Sequence, residues 1–153
     1  MTAELAADIV AGGYWLKPPE PGAELAIAYA GAVAPEALAA FDMLLEDIPG
    51  AGILAITSAD RLHAGWLDEL RGGAASQVKR LLAPLGENAA LVTVLDGHPA
   101  TLSWLGAVAR QRVYPLGVEH FGQSGDLPDL YRVYRLDADA ILDAVARASL
   151  DRR

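Results

Sequence analysis

The chain has 153 residues, of which 53% are hydrophobic and 21% are charged, a balance that is typical of a folded domain and excludes a disordered chain. Its formal net charge of -8 repels a phosphate backbone and excludes nucleic acid as a partner. It contains no cysteine, which excludes disulfides and thiolate metal sites.

The first half of the chain predicts two helices and three strands. Helical spacing marks residues 3–10, and Gly12-Gly13 ends that helix. Short apolar runs bounded by turn residues predict strands over residues 14–16, 25–30 and 53–56. Pro35 opens a second helix, whose predicted apolar face comprises Leu38, Phe41, Leu45 and Ile48.

The second half predicts strands and helices separated by irregular segments. The segment with His63 and Trp66 is predicted to be less regular than the rest. β-branched residues dominate the clearest strand, at residues 91–95. A weaker strand is predicted at residues 113–116. Pro115 has no backbone N–H to donate to a neighbouring strand, so this weaker strand is expected at an edge of the sheet. Four helices are predicted in this half. One contains Val78, Leu81 and Leu82, and another begins at Pro99 and buries Leu102, Leu105 and Val108. The last two cover residues 128–134 and 137–148, and Asp137 caps the second of them.

The alternation of strand and helix predicts a three-layer α/β domain with a parallel sheet, because crossover helices join parallel strands. We expect one domain over residues 1–153, since nothing divides the chain. Acidic residues occur early, and apolar stretches such as residues 25–34 fall well short of the roughly 20 residues of a membrane helix. These features predict a soluble, cytoplasmic protein without a membrane partner.

Polar residues follow several predicted strands, where open α/β sheets gather functional groups. Thr57-Ser58 follows one strand and Asp96-Gly97-His98 another. Asp96 and His98 could act in catalysis as an acid and an imidazole. They could also form the turn before the helix at Pro99 and cap that helix, and this structural role is favoured. A solvated or capping role is likewise favoured for His63.

The loop over residues 117–125 is a further candidate site. Glu119 with His120 suggests a proton-transfer pair or half a metal site, yet adjacent residues point apart in an extended chain and no ligand spacing predicts a metal. The loop either holds an anion through its backbone N–H groups or forms a tight turn around a buried Phe121. The candidate anion- or partner-binding residues are His98, Glu119, His120, Phe121, Gly122, Gln123, Ser124 and Gly125.

The best-defined catalytic and phosphate-binding motifs are absent. No G-x-S-x-G elbow occurs, which leaves little support for a hydrolase. Neither G-x-G-x-x-G nor G-x-x-x-x-G-K-[ST] occurs either. No nucleotide-binding loop is therefore predicted.

Residues 117–125, GVEHFGQSG, resemble the G-x-x-x-F-G-x-S loop of transketolase-family C-terminal domains. Three further motifs are similar to the same region of homodimeric pyruvate dehydrogenase decarboxylating components: Ala11-Gly12-Gly13-Tyr14-Trp15-Leu16, Ile56-Thr57-Ser58 with Arg61-Leu62, and Leu130-Tyr131 followed by Leu136-Asp137-Ala138. The resemblance covers residues 9–148 and is carried by the order and spacing of these motifs.

The resemblance implies a three-layer sandwich of about five mostly parallel strands, with residues 14–16 as the one antiparallel strand. It also implies a thiamine diphosphate-dependent enzyme whose cofactor and magnesium lie between two other domains, while this third domain supports the dimer. A G-D-G motif binds magnesium and diphosphate in that family. Here Leu95 precedes Asp96-Gly97, so no catalytic, cofactor-binding or metal residue is assigned.

Two classes of function follow. The leading hypothesis is a C-terminal accessory domain, inactive alone, of a 2-oxoacid (pyruvate) dehydrogenase-like enzyme, with ketol transfer by a transketolase as second choice. Its expected partners are the rest of the enzyme and a second copy. The other class is a stand-alone binding module that docks the lipoyl-bearing acyltransferase core or a small anionic regulator.

Overall fold

The computed structural model describes residues 2–120 and 122–151. Its sheet has the strand order β1-β3-β2-β4-β5, with β1 at Gly13–Lys17, β2 at Ala23–Ala30, β3 at Gly52–Ile56, β4 at Leu85–Leu95 and β5 at Arg112–Leu116. β1 runs antiparallel to β3, whereas all other neighbours are parallel. The predicted fold class is therefore confirmed, including the antiparallel strand and the edge position of β5.

Helices cover both faces of this sheet. They are α1 at Ala3–Ala11, α2 at Ala34–Asp47, α3 at Ala59–Leu70, α4 at Gln77–Leu82, α5 at Ala100–Ser103, α6 at Gly106–Ala109, α7 at Leu127–Tyr134 and α8 at Ala138–Leu150. α2, α7 and α8 pack on one face, and α3, α4 and α5 on the other. Asp137 caps α8 as predicted, because its carboxylate accepts the Ala140 N–H at 3.0 Å.

The two central strands are buried on both faces, which explains their continuous apolar runs. In β4, Val92 and Val94 contribute to the core under α2 and α8, while Leu91 and Leu95 contribute to the core under α3 and α4. Side chains of a strand alternate between faces, so a strand covered twice needs apolar residues at consecutive positions.

Three predicted details were wrong. The segment with His63 and Trp66 is the regular helix α3, and the helix after Pro99 is divided into the short helices α5 and α6. The most deeply buried face of α2 comprises Ala37, Ala40, Phe41 and Leu44. Two alanines on that face let α2 approach the sheet closely, so the larger side chains of Leu38, Leu45 and Ile48 reach the core only from its flanks.

The Glu69 carboxylate joins α3 to α4. Its Oε2 accepts the backbone N–H of Ser76 at 2.9 Å and the Ser76 hydroxyl at 2.7 Å, and its Oε1 accepts from Lys79 Nζ at 2.6 Å. These donors, Lys79 first and Ser76 next, lower the pKa of Glu69 from 4.5 to about 2. The charged form of Glu69 is therefore favoured by folding.

We expect Glu69→Gln to be less stable than the native chain at neutral pH. Because folding lowers the pKa of Glu69, its charged form stabilises the fold at a pH above 4.5, the ordinary pKa. This contribution is lost as the pH falls toward the folded-state pKa of about 2. Urea unfolding across that range should show that the free energies of unfolding of the native chain and Glu69→Gln converge as the pH falls. A difference that stays constant with pH would contradict the assignment.

Thr93 places a hydroxyl in the core under α3 and α4. It is 0% exposed, it is paired in register with Ala28 of β2, and its Oγ1 has no hydrogen-bond partner among the described residues. A buried hydroxyl without a partner has lost its hydration and gained no bond in return. This position therefore favours an apolar side chain of the same shape.

We expect Thr93→Val to raise the free energy of unfolding by about 1 kcal/mol, because the change removes an unsatisfied hydroxyl and keeps the branched shape. Thr93→Asp should lower it by about 3–5 kcal/mol, because a carboxylate would be buried without a partner. Urea unfolding of both variants measures the contrast. Equal stability of the two variants would show that position 93 is not in the core.

Candidate functional site

The carboxyl ends of β2 and β4 mark the point where the chain changes direction across the sheet. β3 lies on one side of β2, whereas β4 and β5 lie on the other. Open α/β sheets bind ligands at such switch points. Two segments meet here: Gly31-Ala32 after β2 and Asp96-Gly97-His98 after β4.

The Asp96 carboxylate bridges this switch point. Its Oδ2 accepts the Ala32 N–H at 3.1 Å. Gly31 has a φ of +80°, and a Cβ at this position would lie 2.0 Å from Asp96 Oδ1. Gly31 is therefore required for its backbone conformation and for the space that Asp96 occupies.

His98 begins the connection to α5. Its Nδ1 accepts the Ala100 N–H at 3.2 Å, and the side chain is exposed. Asp96 and His98 thus make the turn and capping contacts that the sequence favoured. Both are held in place at the carboxyl edge, but neither faces an enclosed cavity that the structure describes.

The loop after β5 lies beside the turn after β4. The Val118 N–H donates to the Gly97 carbonyl oxygen at 2.8 Å, which brings His98 and the loop to the same edge. Glu119, His120, Gly122, Gln123, Ser124 and Gly125 are exposed. The adjacent pair Glu119-His120 is therefore in solvent.

The sequence predicts that Gly122 and Gly125 adopt backbone angles that other residues resist, and the structure agrees with this only in part. Gly122 has a φ of +111°, in the region that other residues resist, as expected. Gly125 has no positive φ, so the same expectation for Gly125 was wrong. Phe121 lies outside the described residues, and its inward packing stays a prediction.

A buried phenol near the switch point was missed by sequence reasoning. Tyr131 on α7 is 8% exposed, and its Oη has no hydrogen-bond partner among the described residues. Burial first, and then the negative charges of Asp96 and Glu36, raise the pKa of Tyr131. The phenol therefore stays protonated at neutral pH, which excludes it as a general base. The Leu130-Tyr131 motif pointed to this residue, but its burial depends on how α7 packs against the sheet.

The segment after β3 holds helix α1 to the sheet. The Thr57 hydroxyl donates to the Ile9 carbonyl at 2.6 Å, and Arg61 Nη1 donates to the Val10 carbonyl at 2.7 Å. Both bonds satisfy carbonyl groups in the last turn of α1, which have no partner within the helix. Thr57 and Arg61 belong to motifs that carry the family resemblance, and here their contacts are structural.

His63 belongs to an aromatic cluster with Trp66 and Trp104, and is not a capping residue. The two indole rings stack at 5.5 Å, and the imidazole meets the Trp104 ring edge-on at 4.8 Å between centroids. All three side chains are half-buried and lie between α3 and the end of α5. Such stacking accounts for His63 without a catalytic role.

The described residues do not fit a metal or a thiamine diphosphate site. They contain no group of three or more His, Asp or Glu side chains placed to hold a metal ion. Asp96 already accepts the Ala32 N–H, while Glu36 Oε2 accepts the Ala138 N–H at 2.9 Å. Asp96 and Glu36 are thus used in structural bonds, and their negative charge opposes binding of a diphosphate.

Among the described residues, no helix is both long enough and apolar enough to cross a bilayer.

No protein-family model and no curated protein matches the chain. Solved structures do match. Transketolase from Leishmania mexicana is 15% identical with a TM-score of 0.67, and the match covers 94% of this chain and 19% of that one. Transketolase from Campylobacter jejuni is 18% identical with a TM-score of 0.63, covering 89% of this chain and 18% of that one.

A third similar structure is a split-gene transketolase in the form of an inactive beta4 tetramer. It is 20% identical, with a TM-score of 0.60, and the match covers 90% of this chain and 42% of that one. The chain therefore has the fold of a transketolase C-terminal domain, and it spans less than one fifth of the undivided transketolases named above.

We expect Gly31→Ala to destabilise the fold more than Gly22→Ala. Both glycines have a φ of +80°, but a Cβ at Gly22 would meet nothing within 4 Å, whereas one at Gly31 would strike Asp96. The shared strain costs about 1 kcal/mol, and displacement of the exposed Asp96 carboxylate from the Ala32 N–H should add about 0.5–1 kcal/mol at Gly31 only. Urea unfolding measures both, and equal costs would show that Asp96 does not bridge the strands.

Proposed function

We propose that the chain is the C-terminal accessory domain of a thiamine diphosphate-dependent enzyme and that residues 1–153 form one domain. The observation that carries this proposal is the fold: nearly the whole chain matches transketolases, while covering only 18–19% of the two named above. A domain that corresponds to so small a part of such enzymes requires the remainder for catalysis. We therefore expect it to support assembly and to be inactive alone.

The chemistry of the carboxyl edge supports this role. Asp96 and His98 bind backbone groups of the same chain, and Tyr131 stays protonated at neutral pH. These groups supply neither a metal-binding set nor a free base. The split-gene transketolase tetramer, described as inactive, is a precedent for an inactive assembly with this fold.

For the parent reaction we favour decarboxylation and oxidation of pyruvate or another 2-oxoacid. The motifs around Gly12-Gly13, Thr57-Ser58 and Leu130-Tyr131 support this choice, because they resemble pyruvate dehydrogenase components. Ketol transfer is the alternative, and the solved structures favour it because they are transketolases. A stand-alone module that binds an anion or a partner through residues 117–125 is the other alternative.

The partners proposed for this domain are the remaining domains of the enzyme and a second copy in a homodimer. The lipoyl-bearing acyltransferase core and a cytoplasmic location stay predictions. Fractionation of the source cells would test the location, and recovery in a membrane pellet would contradict it.

The purified chain should not bind thiamine diphosphate, because its described residues contain no group of acids placed to hold magnesium, and Asp96 and Glu36 repel the diphosphate. Calorimetric titration with the cofactor and magnesium should show no heat of binding. An intact transketolase, titrated under the same conditions, serves as the positive control. Magnesium-dependent binding in the micromolar range would contradict the accessory role.

Purification of the tagged chain from its native cells tests the assembly role. We expect it to associate with a polypeptide that carries thiamine diphosphate, detected by conversion to fluorescent thiochrome. Reduction of ferricyanide with pyruvate in the recovered complex would support the favoured reaction, and ketol transfer from a sugar phosphate would support the alternative. A chain recovered alone, without the cofactor, would contradict both and favour the stand-alone module.

A further inference from the structure

A groove lies between the C-terminal parts of α2 and α8. Its volume is about 530 Å³, and its lining includes Met43, Glu46 and Asp47 of α2 and Leu142, Ala146 and Ser149 of α8. The two helices begin side by side, where Glu36 accepts the Ala138 N–H. The groove is therefore at the opposite end of these helices from the candidate site.

The floor of the groove is apolar and accessible. Met43 is 55% exposed, Ala146 is exposed and Leu142 is half-buried. Leu150, which is 65% exposed, continues the stripe because residues 142, 146 and 150 follow at helical spacing along α8. Exposed apolar side chains arranged along two adjacent helices are typical of a surface that binds another protein.

Carboxylates flank this apolar stripe on both helices. Glu46 and Asp47 line the groove, and they are the only charged residues that do so among those the structure describes. Asp42 precedes Met43, and Asp139 lies one turn before Leu142. No ion pair or side-chain hydrogen bond joins these four carboxylates to other described residues, whereas Asp143 pairs with Arg135 at 3.4 Å.

We propose that this groove docks a basic amphipathic helix of a partner protein. The apolar face of such a helix would cover Met43, Leu142 and Ala146, and its Lys and Arg side chains would reach the unpaired carboxylates. A second copy of the chain does not fit, because a two-fold contact through this face would bring the same carboxylates together. The inference concerns a surface distant from the carboxyl edge and does not depend on the parent reaction.

Methionine labelling provides a direct test. Met43 lies in the groove, so ¹³C-methyl labelling of methionine places a reporter there. The probe is a synthetic amphipathic helix of Leu and Lys, and the control peptide replaces Lys by Glu. The Leu–Lys peptide should shift the Met43 methyl resonance, and the Leu–Glu peptide should leave it unchanged.

Charge reversal separates specific docking from general attraction to an acidic protein. Glu46→Lys with Asp47→Lys should weaken binding of the Leu–Lys peptide by about tenfold or more, because charges that flank an interface steer and hold the partner. Glu4→Lys with Asp68→Lys makes the same change in net charge at exposed positions on α1 and α3 and should have less than about a twofold effect.

A single substitution tests the apolar floor. Ala146→Lys places a cation in the groove and should weaken binding of the Leu–Lys peptide as strongly as the Glu46→Lys, Asp47→Lys double variant does. Ala107→Lys, at an exposed position of α6, should leave this binding unchanged. Equal losses in the two double variants, an unshifted Met43 resonance, or equal binding of the Leu–Glu peptide would overturn the proposal. Concentration-dependent shifts of Met43 without peptide would overturn it in favour of a second copy.

Discussion

Burial of β2 and β4 on both faces is the constraint on which the rest of the structure depends. Their side chains occupy two separate cores, so both strands depend on helices that cover both sides of the sheet. Parallel neighbours also require crossover connections, which α2 to α6 supply. The strand order then reverses between β2 and β4, and this reversal creates the edge where Gly31 and Asp96 meet.

Polar groups at that edge are used mainly to hold the fold together. Asp96 joins two strand ends, His98 caps a helix, and Thr57 with Arg61 holds α1 against the segment after β3. The bonds of Asp96, Thr57 and Arg61 each join segments that are distant in the sequence, so they fix the shape of this edge.

Negative charge has different consequences at the two ends of the molecule. Near the carboxyl edge, Asp96 and Glu36 accept backbone N–H groups, and their charges add to burial, the larger cause, in raising the pKa of Tyr131. At the ends of α2 and α8, Glu46 and Asp47 flank an apolar groove without partners among the described residues. Carboxylates that satisfy backbone donors stabilise the fold, whereas unpaired carboxylates beside exposed apolar residues favour a basic partner.

The sequence by itself determined the layers and the position of each strand, because apolar runs, prolines and capping residues act locally, but it missed the first six residues of β4, which begins at Leu85. It predicted the antiparallel strand at residues 14–16 through resemblance and the edge position of β5 through Pro115. Only the tertiary structure decided that α3 is regular, that His63 stacks on Trp104, that Asp96 reaches Ala32, and that Tyr131 is buried. These contacts join residues 32 to 96, or 63 to 104, and such pairings depend on how the layers pack. No local pattern records that packing, which is also why the groove between α2 and α8 became visible only once both helices were placed.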